Sequence, residues 1–89
     1  ATAATAATGE DPVELCKAQS KLAGVIMEKR QEGVSYETLY VLIIKSAEPK
    51  IPLIMLEEAY NRPLSAIPSR AITEFKNEVF KTCISVMVK

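Results

Sequence analysis

A chain of 89 residues holds one domain at most, and a core of that size gives only a few kcal/mol unless a staple or a partner adds to it. With 48% hydrophobic and 25% charged residues the composition is globular, and 11 basic against 11 acidic side chains leave no net charge and no basic stripe. That excludes general disorder and makes nucleic acid an unexpected partner, because neutralising phosphates needs clustered Lys and Arg.

Histidine and tryptophan are absent. Without His the chain lacks the commonest general base and the commonest metal ligand. Two Cys without CxxC spacing do not seed a zinc site, so no metal and no cofactor are expected. The longest apolar run, ending at Ile44, is far short of the roughly 20 residues that cross a bilayer, so no membrane span is expected.

In chain order, residues 1–10 ("ATAATAATGE") begin without Met and use only Ala and Thr for eight positions. A small-residue start is what signal-peptide cleavage leaves, so this segment is expected to be a flexible leader of an exported protein. A linker or a fragment boundary is the other reading. Residues 11–89 are expected to form a single helical domain.

The first helix opens at Asp11-Pro12-Val13-Glu14. Asp suits the N-cap, Pro the first helical position, and Glu14 can reach back to the cap. The helix runs to about Glu32 and stops at Gly33, which takes the left-handed conformation cheaply. Cys16, Gln19, Ala23, Ile26 and Arg30 recur at helical spacing, widened by Leu15, Leu22 and Met27. Ala18, Ala23 and Gly24 are small enough to let another helix come close.

Ser35 is a second N-cap. The "TLYVLII" that follows is rich in β-formers and could be a buried strand. A strand needs a partner, however, and the only candidate, "KIPLIML", contains Pro52. The segment is therefore read as a helix carrying Leu39, Tyr40, Leu42, Ile43 and Ile44 and ending near Ser46. A short third helix spans Pro52 to Asn61 and is ended by Pro63. After a turn at residues 65–68, Ser69 or the residues just before it cap a long last helix. Its inner stripe is Ile72, Phe75, Val79, Cys83 and Val86, flanked by Phe80 and Met87. Arg70–Glu74 and Glu78–Lys81 are expected surface pairs. Glu57 and Glu58 point about 100° apart on a helix and do not share a site, so no acid/base pair and no enzyme activity are expected.

The fold class that follows is all-α: a small four-helix bundle whose long first and last helices run antiparallel and are joined by one disulfide. Cys16 lies near the start of the first helix and Cys83 near the end of the last, so antiparallel packing brings the sulfurs to one level. The same register sets Ala23 near Phe75 and Lys76, and Ile26 near Ile72. A bond between them stabilises by about 4 kcal/mol in the chain-entropy treatment. Two buried free thiols are the alternative, since Cys is among the most buried residues. A disulfide points to an oxidising compartment, periplasmic or secreted.

Cys16, "IMEKRQEG" (26–33), "EEAYNRP" (57–63) and "AITEFKNEVFKTC" (71–83) resemble a loose group of small exported two-cysteine helical proteins of proteobacteria and their phages. The resemblance implies periplasmic residence and a Cys16–Cys83 disulfide, and it implies no activity. The layout is also similar to that of the periplasmic acid-stress chaperones, whose chains share neither "RQEG" nor "AYNRP".

More than half of residues 36–67 are apolar, which exceeds what one buried stripe needs. Either a tiny domain wraps this segment and leaves a few apolar groups scattered outside, or Tyr36, Tyr40, Ile51, Leu53, Tyr60, Leu64 and Ile67 are candidate residues for binding a protein partner or for self-association. Gln19 and Arg30, the polar members of the first helix's stripe, are either satisfied across the bundle or mark a polar contact point. The expected function is that of a non-enzymatic exported binding protein: an inhibitor, an immunity-type protein or a modulator acting on an envelope protein. An acid- or stress-responsive periplasmic chaperone is one alternative. A cytoplasmic helical adaptor or homodimer with reduced cysteines is another.

Overall fold

A computed structural model describes residues 11–87. The expected leader, residues 1–10, lies outside the described residues. Among the described residues the chain forms four helices and no strand: α1 (Pro12–Gln31), α2 (Tyr36–Ile44), α3 (Lys50–Tyr60) and α4 (Pro68–Met87).

Asp11 caps α1, its Oδ1 accepting from the amides of Val13 at 3.0 Å and Glu14 at 3.4 Å. The Glu14 side chain pairs with Lys17 at 3.6 Å. At the other end Gly33 takes a φ of +92°, and its amide donates to the Arg30 carbonyl at 3.1 Å. The Val34 amide donates to Lys29 at 3.0 Å, which completes the left-handed cap. Cys16, Ala23, Gly24, Ile26 and Met27 form the buried face. Leu15 and Leu22 do not widen it as expected, being 37% and 36% exposed. Each precedes a buried residue by one position, about 100° further round the helix and past the edge of the covered face.

Ser35 caps α2, accepting from the Thr38 amide at 3.1 Å. This segment is a helix despite its β-formers, because no extended segment is present among the described residues to pair with it. It closes where the Ser46 hydroxyl and amide both bond the Ile43 carbonyl, at 2.7 and 2.9 Å. Of its nine residues only Leu39 is buried, with Ile43 packed partly against the core.

Helix α3 starts at Lys50, two residues ahead of the expected Pro52. Pro52 is the third residue of the helix, where an amide has no intrahelical acceptor, so its missing N–H costs nothing there. Met55, Leu56 and Ala59 are buried, and Pro63 follows soon after the end. Helix α4 starts at Pro68, so Ser69 lies inside its first turn.

Phe75 is fully buried and shares one hydrophobic cluster with Ala23, Ile26, Met27, Leu39, Met55, Leu56 and Ala59. Cys16 and Cys83 are disulfide-bonded with Cα atoms 5.5 Å apart. A second link between α1 and α4 lies at Gly24, where an added Cβ would come 2.7 Å from Lys76 Cδ. The missing side chain lets the Lys76 stem cross α1, and the Ser20 hydroxyl donates to the Lys76 carbonyl at 3.3 Å. Helix α3 also packs on α1, and α2 packs on α3. The backbones of α3 and α4 stay apart, which leaves a gap between the two helices.

Val86 and Met87, expected on or beside the inner stripe of the last helix, face this gap and are 66% and 45% exposed. Neither the expected Arg70–Glu74 pair nor the Glu78–Lys81 pair forms among the described residues. Among the described residues the ion pairs are Lys17–Glu14, Lys29–Glu32 and Arg62–Glu78. Glu78 reaches across to Arg62, beyond the end of α3, instead of forward along its own helix.

Candidate functional site

Two apolar surfaces stand out, and the sequence-derived partner residues divide among them, the core and the connection between α3 and α4. The first surface is α2. Tyr40, Val41, Leu42 and Ile44 are 40%, 43%, 62% and 44% exposed, so the helix turns large apolar groups outward on most of its perimeter. Tyr36 and Tyr40, one turn apart, stack with ring centroids 6.1 Å apart.

Tyr60 supports this pair from beneath. Its ring meets Tyr36 edge-on at 5.6 Å, and its hydroxyl donates to the Val34 carbonyl. Burial pushes the Tyr60 phenol above its ordinary value, and the nearby Arg30 charge partly opposes that. The Arg30 guanidinium lies over the Tyr60 ring, 5.0 Å from its centroid, and donates through Nη2 to the Arg62 carbonyl at 2.8 Å. Its Nε is buried without a hydrogen-bond partner. Arg30 thus joins the end of α1 to Tyr60 and to the chain after α3, a role inside the fold.

Leu53 packs partly against the core. Leu64 and Ile67, 60% and 51% exposed, sit in the connection between α3 and α4. That connection is held to the end of α1 by the Ser65 amide, which donates to Gln31 Oε1 at 3.0 Å. The Ser65 hydroxyl accepts from the Ile67 amide at 3.0 Å and fixes the turn.

The second surface is the gap between α3 and α4, a groove of ≈ 590 Å³. Ile51, Ile54, Met55, Val79, Val86 and Met87 give its apolar lining, and Gln19 contributes from α1. At one end stand Glu58, Asn61, Arg62 and Glu78. Arg62 pairs with Glu78 through both Nη atoms and lies 4.9 Å from the Phe75 ring centroid, so its guanidinium is held on two sides. The hydrogen bond from Arg62 holds the Glu78 carboxyl below its ordinary value, and the same bond raises Arg62. Of the expected contact residues only Ile51 and Gln19 fall here. The groove was not legible in the sequence, because its walls belong to helices whose backbones stay apart and whose spacing no local pattern reports. The only signal was the excess of apolar residues on α3 and at the end of α4.

Among the described residues no group of three or more His, Cys, Asp or Glu converges to hold a metal ion, and no helix is long and apolar enough to cross a membrane. Over the described residues the molecule is a small, all-helical, disulfide-bonded protein with an outward-facing apolar helix and an apolar groove. Comparison with known protein families, curated proteins and solved structures gave no match for this chain.

Proposed function

We propose that this chain is a non-enzymatic exported binding protein that presents α2 to a protein partner, as an inhibitor, an immunity-type protein or a modulator of an envelope protein. The observation that carries this reading is α2 itself. A nine-residue helix that buries one side chain and exposes Tyr40, Val41, Leu42 and Ile44 gains little from its own core. Clustered exposed apolar groups of this kind gain when a partner covers them. The stacked Tyr36 and Tyr40 are large, stiff anchors of the sort that dominate interface energetics. In this reading α1 and α4 run antiparallel as the frame of a four-helix bundle. The Cys16–Cys83 bond at one level and the Gly24–Lys76 approach at another support that arrangement. The disulfide supports export, since such bonds persist in oxidising compartments.

The test pairs the native protein with a Tyr36→Ser/Tyr40→Ser variant, each immobilised and exposed to envelope extract. A protein retained by the native chain is then identified, purified and bound again to both forms. The variant keeps its helical circular dichroism and loses the partner. Equal retention of the purified partner by the folded variant would remove α2 as the contact surface.

A further inference from the structure

The groove between α3 and α4 differs from the α2 face in shape and in chemistry. It is concave, and its ≈ 590 Å³ is within the range of small-molecule sites, about 300–1,000 Å³. Its walls follow helical spacing: Ile51, Met55 and Glu58 on α3, and Val79, Cys83 and Val86 on α4. Residues 51 to 62 on one wall make it roughly 15 Å long at 1.5 Å per residue. The lining is graded along that length. Ile51, Ile54, Val86 and Met87 are at the apolar end, and Glu58, Asn61, Arg62 and Glu78 are at the other.

The polar end carries a definite sign. Two carboxylates and one guanidinium line it, and the guanidinium is already bonded to Glu78 and stacked on Phe75. Glu58 is exposed and forms no ion pair among the described residues. The carbonyl end of α3 lies at the same place, with no basic residue in its last turn, so the helix dipole adds negative potential. Glu58 and Glu74 both act on Arg62 through space and Lys81 acts on Glu78, so three carboxylates face two cations and the end keeps one negative charge in excess. An anionic head group would meet this surplus of negative charge, while a cation would complete it.

We propose that the groove binds a small single-chain amphipathic amine, its apolar chain lying on Ile51, Ile54 and Val86 and its ammonium group at Glu58. The site is separate from α2, and ligand occupancy does not require the protein partner.

Isoleucine-methyl NMR titrations with decylamine and with decanoate, both kept below their aggregation concentrations, test this. Decylamine is expected to bind saturably and to shift Ile51 and Ile54 while leaving Ile44 and Ile67 unmoved. Decanoate should bind ~3- to 5-fold more weakly, the size of one partly solvated charge contact. Glu58→Gln, an exposed change that leaves the melting temperature in place, should remove most of that preference. Ile54→Lys should abolish the decylamine shifts at Ile51. Equal affinity for the two probes, no saturable binding, or shifts centred on Ile44 would each overturn the proposal.

Discussion

Tyr60 ties the end of α1, the start of α2 and the end of α3 together. Its ring carries Tyr36, lies under Arg30, and its hydroxyl fixes the Val34 carbonyl just after the α1 cap. Tyr60→Phe keeps the ring contacts and deletes the hydrogen bond, which should cost about 1 kcal/mol. The effect has a pH signature. Burial raises the phenol above 10.0, so the folded state holds that proton more tightly than the unfolded chain. Its contribution is complete below pH 10 and is lost as pH rises through the folded value. Urea denaturation at rising alkaline pH should therefore show the native protein losing stability faster than Tyr60→Phe. Parallel losses would mean that Tyr60 is not held as described. Neither Tyr60's hydroxyl partner nor Arg30's bond to Arg62 was legible beforehand. Both contacts join positions 26 and 32 residues apart, which helical periodicity cannot pair.

Local chemistry fixed most of the elements. Asp11-Pro12, Gly33 and Ser35 mark ends whose hydrogen bonds are all present, because caps act within a few residues of sequence. The same locality explains the errors. Pro52 reads as a helix start because proline favours the first position, yet the first turn tolerates it at any place where the amide is unpaired. Leu15 and Leu22 read as core because a stripe in sequence says nothing about how wide a neighbour will cover it. For α2, propensity favours strand and the cap favours helix, and the helix prevails. That makes Ser35 a sensitive point. Ser35→Ala removes the acceptor for the Thr38 amide and should cost about 1 kcal/mol, read as a lower urea midpoint with an unchanged slope. No change in midpoint would show that packing of Leu39 alone holds the helix.

At the scale of the whole molecule the fully buried side chains are few, and several are small: Ala23, Ala59 and Cys16 stand beside Phe75, Met27 and Leu56. A core of this kind is near the lower limit of independent stability, and a bond closing 67 residues adds about 4 kcal/mol. The staple also bears on both surfaces, since Cys83 lines the groove and α1 carries α3, which in turn carries α2. The helical class and the cysteine pairing were legible because they follow from spacing on two long amphipathic helices. The groove was not, since it is the space left where the backbones of α3 and α4 stay apart.

The staple holds the fold together, and the proposed export rests on it as well. The direct measurement is an intact mass and free-thiol count on unreduced protein taken from its native compartment. With the Cys16–Cys83 bond in place the expected result is no free thiol and a mass lower than that of the reduced chain by two hydrogens. Two free thiols would contradict it, removing both the cross-link that holds α1 to α4 and the support for export.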